Sequence, residues 1–145
     1  MTISYNQFKK MCYYVANGNK GMLKSLKNYS VRYYQTFLYI RRLTKDKKDL
    51  SVLSLGGGAA FVEAAMTKYL HHKCVVLDLP DVIKAFQSHY DRLDIGTVAC
   101  EISTLNKIEG EYDIIVSFEN IEHLPEAPSQ YFAKFVPALR LGGSL

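Results

Sequence analysis

A short apolar run, Ser51–Leu55, ends in three consecutive glycines, Gly56 to Gly58, and a helix-forming stretch over residues 59–70 follows at once. A strand that stops in a glycine turn and restarts as a helix is the first part of a βαβ unit, the connection that parallel strands require. The alternation continues downstream. Residues 74–79, 97–100 and 112–118 read as strands and residues 80–89 and 129–139 as helices, with Pro80 well placed near a helix start. Arg140-Leu141-Gly142-Gly143 reads as a helix stop and Ser144-Leu145 as the first step of one more strand. The pattern predicts a doubly wound parallel α/β sheet, incomplete at its C-terminus and covered by helices on both faces. On this reading the sheet ends at an open edge after its fourth strand. Poor stability, an oligomer or a partner chain over that edge is the expectation.

The first 50 residues have another character. Apolar and aromatic side chains recur every three or four positions over residues 5–15 and 23–43, the period of amphipathic helices, and Asn17-Gly18-Asn19 separates the two. Residues 1–50 hold eleven Lys/Arg against two acids, whereas residues 51–145 hold seven against twelve, so a net charge of +4 conceals a basic and an acidic part. Seven of the eleven tyrosines fall in the basic part. We therefore divide the chain into a basic, Tyr-rich helical region, 1–50, and a ligand-binding domain, 51–145. Three readings of the helices stand open: tyrosines packed onto the sheet with solvated lysines, a lid lining an acceptor pocket with Tyr13, Tyr14, Tyr33 and Tyr34, or an RNA surface.

At 145 residues, 48% hydrophobic and 22% charged, the chain suits one globular domain. No apolar run approaches the roughly 20 residues of a membrane span, and no basic flank leads into a signal core. A soluble cytoplasmic protein without membrane contact is expected. Cys12, Cys74 and Cys100 are odd in number and far apart, which suits buried free thiols. His71-His72 reads as a polar helix end without a role.

Ligands of doubly wound sheets bind outside the carboxyl ends of the strands, where Gly56 to Gly58 sit. Gly56 and Gly58 make a Gly-x-Gly pair, but Phe61 stands where a dinucleotide fingerprint has its third glycine. The second strand brings Asp78, 22 residues beyond Gly56, about where an acid accepts from ribose hydroxyls. The alternative for Asp78 is a plain cap of the following helix. Turn and acid together indicate a bound nucleoside.

Residues 51–145 resemble the class I S-adenosylmethionine-dependent methyltransferases, which are Rossmann-like. The matching pieces are Val52-Leu-Ser-Leu-Gly-Gly-Gly-Ala59, Val75-Val-Leu-Asp78, the run from Tyr112 through Ser117-Phe-Glu-Asn-Ile-Glu-His-Leu-Pro125, and Phe135 to Gly143. No piece is specific alone; the four in this order and spacing are. Asp78-Leu-Pro-Asp-Val-Ile83 also looks like the corresponding stretch of small-molecule O-methyltransferases. The resemblance implies a chain cut before or at the fifth strand and a site for S-adenosyl-L-methionine. It puts Ser54, Gly56, Gly57 and Gly58 at the methionine part, Asp78 on the ribose, Glu101 and the Ile102 backbone beside the adenine, and Leu79 and Phe118 in the same site. Two positions depart from the pattern. Ser54 replaces the first motif's usual acid and Ala60 its usual last glycine. An acid changed to serine removes a charged acceptor, typically worth about 1.5–3 kcal/mol.

Glu119, Glu122 and His123 follow the fourth strand. In a helical turn they would share a face, where they suit either Mg2+ or Mn2+, or a general base at His123 assisted by Glu122. A structural Glu-His pair is the alternative. The Glu-x-x-Glu-His spacing resembles metal-assisted O-methyltransferases of ubiquinone biosynthesis and of small-RNA 2′-hydroxyls, although the further His of the RNA enzymes has no counterpart here. The leading expectation is methyl transfer to an oxygen of a small molecule. The rivals are a non-catalytic or partner-dependent methyltransferase-like module, a metal-assisted RNA 2′-O-methyltransferase, and an NAD-binding reductase domain.

Overall fold

The computed structural model describes residues 3–45, 47–105, 107–118 and 127–145. Two helices, α1 (Tyr5–Ala16) and α2 (Lys20–Thr44), precede the sheet. Ser4 and Gln7 form a reciprocal capping box that starts α1, and Asn19 Oδ1 accepts the Met22 amide at 3.1 Å to start α2. Both helices stop at a residue in the left-handed region, Asn17 (φ 45°) and Lys45 (φ 47°).

The strands are β1 (Ser51–Leu55), β2 (Lys73–Asp78), β3 (Gly96–Ala99), β4 (Tyr112–Ser117) and β5 (Leu139–Ser144). All pair in parallel, in the order β3-β2-β1-β4-β5. Strand order reverses at β1, which pairs with β2 on one side and β4 on the other, so the carboxyl end of β1 is the switch point. Between β1 and β2 runs α3 (Phe61–Ala65), and between β2 and β3 runs α4 (Pro80–Arg92). A last short helix, α5 (Pro128–Ala133), precedes β5.

Side chains alternate across β1. Val52 joins the core that α1, α2, α3 and α4 cover, whereas Leu53 and Leu55 join a second core with Leu77, Ile115, Tyr131 and Phe135 on the other face. The N-terminal helices are stitched into the first core by rings: Tyr34 to Phe8, Phe8 to Phe37 and Phe37 to Tyr69, with centroids 5.4, 5.8 and 6.2 Å apart.

Three expectations are corrected. The helix over 59–70 begins only at Phe61, and its last turn, Met66–Leu70, widens to π-helical geometry before His71 ends it at φ 57°. The helix expected over 129–139 stops at Ala133. A 3-10 turn, Val136–Ala138, contains Pro137, whose ring and missing amide oppose an α-helix there, and β5 starts at Leu139. Arg140 to Gly143 are therefore strand, not a helix stop, and the sheet continues past β4. Its edge strands are β3 and β5, and Leu141 of β5 is fully exposed. The β5 register is irregular, with Tyr112 opposite Leu139 but Ile114 opposite Ser144. A Cβ on Gly143 would lie 2.8 Å from the Asp113 carbonyl, which is why glycine stands in this bulge. Cys12 and Cys74 are buried free thiols, pushed up to about 12 by burial, while Cys100 is partly exposed.

Candidate functional site

At the carboxyl end of β1 the backbone turns sharply. Gly56 (φ 71°) and Gly58 (φ 49°) take left-handed conformations, and a Cβ on Gly57 would lie 2.8 Å from the Val76 side chain. Nothing lies within 4 Å of where a Gly58 Cβ would be, so the turn presents bare backbone to open space. Ala60 also sits left-handed, at φ 52°, a conformation that disfavours its methyl group by about 1–2 kcal/mol.

Neighbouring elements pin this turn. The Gly58 amide donates to Asp78 Oδ2 at 3.0 Å, and the Leu79 amide donates to Asp78 Oδ1 at 2.8 Å. From α4, the Tyr90 hydroxyl donates to the Gly58 carbonyl at 2.6 Å, and His89 Nε2 donates to the Ala59 carbonyl at 2.9 Å. A carbonyl only accepts, so the His89 proton is on Nε2. Its Nδ1 then faces an Arg92 guanidinium nitrogen at 3.4 Å. Burial pushes His89 below the usual histidine range, which keeps this donor neutral. His89 and Tyr90 were not singled out by sequence, because their partners lie about 30 residues upstream and only the packing of α4 joins them.

A cleft of about 440 Å³ opens between the glycine turn and α2. Gly56 to Gly58, Phe61, Glu63, Ser117 and Phe118 form one side, and Ser25, Arg32, Tyr33 and Thr36 of α2 the other. Of the four tyrosines offered as a lid, Tyr33 alone lines it, its ring tilted against Phe61 with centroids 5.5 Å apart. Tyr13 and Tyr14 are exposed, and Tyr34 donates to the Ile3 carbonyl. At the end of β4, Ser117 Oγ is buried without a hydrogen-bond partner among the described residues.

Ser54 is fully buried behind the turn, and its hydroxyl donates to Glu63 Oε1 at 2.5 Å. Glu63 is a third residue that sequence reading missed. Its one signal was a lone acid in the apolar run Ala59-Ala-Phe-Val-Glu-Ala-Ala65. Burial, with Asp78 nearby, pushes its carboxyl up, against the pull of the Ser54 hydroxyl and its own backbone amide.

The remaining expected residues lie along the same sheet end, outside the cleft lining. Asp78 and Leu79 close β2, and the Cys100 amide donates to the Asp78 carbonyl at 2.9 Å, bringing the end of β3 alongside. Glu101 is exposed, with Oε1 accepting from Ser103 Oγ, and Ile102 is buried in the 3-10 turn Ile102–Thr104. Lys134 Nζ donates to the Ile102 carbonyl at 3.3 Å and ties that turn down. Glu119, Glu122 and His123 lie outside the described residues. Among the described residues, no three His, Cys, Asp or Glu side chains are grouped to hold a metal ion.

The family model described as "Methyltransferase domain" matches residues 53–145, well over half the chain. The chain belongs to the methyltransferase-domain family. The chain is similar to an S-adenosylmethionine-dependent methyltransferase from Clostridium acetobutylicum, with a TM-score of 0.61 and 17% identity over 77% of this chain and 47% of that one. A chain from the complex of the Haloferax volcanii Trm112 methyltransferase activator matches with a TM-score of 0.64 and 17% identity, over 92% and 57%. Coclaurine N-methyltransferase bound to N-methylheliamine and S-adenosylhomocysteine matches with 0.54 and 18%, over 70% and 31%. This chain thus spans about half the length of such structures, or less. No curated protein matches its sequence. The class I, Rossmann-like fold expected from the motifs is the fold observed, and among the described residues no helix is long and apolar enough to cross a membrane.

Proposed function

We propose that this methyltransferase domain binds S-adenosyl-L-methionine across the glycine turn and transfers its methyl group to an oxygen of a small molecule. The observation that carries the cofactor reading is the pinned turn. Gly58 has room beside it where any other residue would project a side chain, and the Asp78 carboxylate holds its amide while keeping lone pairs for hydroxyl donors. The unpartnered Ser117 hydroxyl at the cleft adds a polar group that a ligand would satisfy.

In this reading Gly56, Gly57 and Gly58 pack against the methionine part of the cofactor, with Ser54 behind them. Asp78 accepts from the ribose hydroxyls with Leu79 beside it, Glu101 and the Ile102 backbone flank the adenine, and Phe118 closes the cleft. When bound, the cofactor supplies a methyl group on a positively charged sulfur. The chain's own share is to hold an acceptor in line with that methyl and to exclude water, so few catalytic groups are needed. His123, helped by Glu122, is our choice for taking the acceptor's proton, and Glu119, Glu122 and His123 our choice for binding Mg2+ or Mn2+. The basic region 1–50 supplies the acceptor-side wall through Arg32, Tyr33 and Thr36. One neighbour is known in complex with an activator protein, and the open β5 edge is where we place a partner chain or second copy here.

The test is calorimetric titration of the chain with S-adenosylhomocysteine beside Asp78→Ala. Binding on the order of micromolar, weakened at least tenfold in the variant, is expected. Absence of binding by a folded wild-type chain would turn the reading to a non-catalytic module.

A further inference from the structure

Glu63 is 2% exposed, yet it lines the cleft. Its partner Ser54 stands in the middle of the sheet, opposite Val76 on β2 and Val116 on β4. The Ser54 hydroxyl supplies one hydrogen bond, and a glutamine at 63 would accept it equally well. A carboxyl here carries a desolvation penalty that an amide would not, and the nearby Asp78 increases it. Two acids thus flank one glycine turn, and among the described residues no cation is paired with Glu63, although Arg32 of α2 lines the same cleft. Asp78 is engaged by the Gly58 and Leu79 amides, whereas Glu63 is engaged by the Ser54 hydroxyl and its own backbone amide. Such an arrangement is relieved by a positively charged group entering the cleft.

Resting on the cofactor reading above, we infer that Glu63 is the acceptor for the α-ammonium group at the amino-acid end of the cofactor, and so a binding residue of the site. It carries from α3 the negative charge that Ser54 leaves off β1. The two positions are 2.5 Å apart at their oxygens, so moving the carboxyl from strand to helix keeps it at the same end of the turn. Asp78 is left for hydroxyl donors, which suits a carboxylate already committed to amides.

The experiment pairs a ligand change with a residue change. S-adenosylhomocysteine and its deaminated analogue, which keeps adenosine, thioether and carboxylate but has no ammonium, are titrated into wild type and Glu63→Gln. Wild type is expected to prefer S-adenosylhomocysteine by roughly 10–150-fold, the range of one charge-assisted hydrogen bond. In Glu63→Gln that preference shrinks to about threefold or less, while the analogue binds both proteins alike. A preference that survives in Glu63→Gln overturns the assignment, as does equal weakening of both ligands. If neither ligand binds folded wild type, the cofactor reading itself falls and the assignment with it. Should Glu63→Gln fail to fold, Ser54→Asp/Glu63→Ser returns the carboxyl to β1. That variant is expected to recover the preference, and binding of both ligands without preference would overturn the assignment.

Discussion

Two acids on opposite ends of the central strands are treated in opposite ways. Asp113, near the amino end of β4, accepts the Ser51 amide at 2.8 Å and an Arg140 guanidinium nitrogen at 3.0 Å. The backbone amide first, then the Arg140 hydrogen bond and charge, hold its carboxyl below the usual range. Glu63, at the carboxyl end, is held above it by burial and by Asp78. One acid joins β1, β4 and β5 and is saturated by protein. The other faces a cleft and has no cation paired with it among the described residues. The contrast separates the end of the sheet that completes the fold from the end where we propose that a ligand binds.

Asp113→Ala should break the first half of this contrast and produce the largest change in stability. It leaves the Ser51 amide unpaired and Arg140 with only Glu111, at 3.6 Å, which should lower unfolding stability by about 1.5–3 kcal/mol at pH 7. Affinity for S-adenosylhomocysteine should hold within about twofold, since the residue lies at the other end of the sheet. Its pH dependence has a definite sign. A depressed carboxyl stabilises above its unfolded value of 3.8 and the gain is lost as pH falls through the folded value. Denaturant melts at pH 7 and pH 3 should therefore differ more for wild type than for the variant.

The second half sharpens in the other direction. Without ligand, Glu63→Gln should be more stable than wild type by roughly 1 kcal/mol at pH 8, because it removes a charge from a buried site. A raised carboxyl binds its proton more tightly when folded, so its favourable contribution is complete below 4.5 and lost as pH rises through the folded value. The advantage of the variant should disappear in melts at pH 4. A Glu63→Gln protein less stable than wild type at pH 8 would make Glu63 a structural pair for Ser54.

How much of this was legible follows from the range over which each feature is encoded. Ser51 to Gly58 is a local signal: an apolar strand, then glycines whose positive φ no other residue takes easily, and Asp78 is found by its place at the next strand end. The C-terminal segment misled because Phe132, Phe135, Val136, Ala138 and Leu139 imitate a helical period. Pro137 overrules that period, and Gly142 and Gly143 serve a bulge in β5 where the pattern suggests a stop. Tyr13 and Tyr14 show the same limit on α1, since periodicity finds a helix but not which neighbour its faces meet. Glu63, His89 and Tyr90 act through contacts that only the tertiary packing creates. The strand borders, by contrast, fell within one residue for β2, β3 and β4.

The smallest effect concerns a group that neither sheet end uses. His72, expected at a polar helix end, is 1% exposed, and neither ring nitrogen has a hydrogen-bond partner among the described residues. Burial lowers its pKa, with His71 adding to the effect and Asp49 and Asp113 opposing it. A histidine held neutral by burial stabilises fully above the unfolded value of 6.5, and that contribution is lost as pH falls below it toward the folded value. His89 adds a slope of the same sign, so wild type alone does not isolate His72. His72→Leu does. At pH 7.5 it should be as stable as wild type or slightly more so, because an unpaired buried imidazole gives way to an apolar side chain. Between pH 7.5 and 5.5 wild type should lose more stability than the variant. Parallel losses would mean that the acids at the amino end, Asp49 and Asp113, compensate the buried imidazolium. That end of the sheet would then be as electrostatically adaptable as the cleft, and the division between the two ends would rest on Glu63 alone.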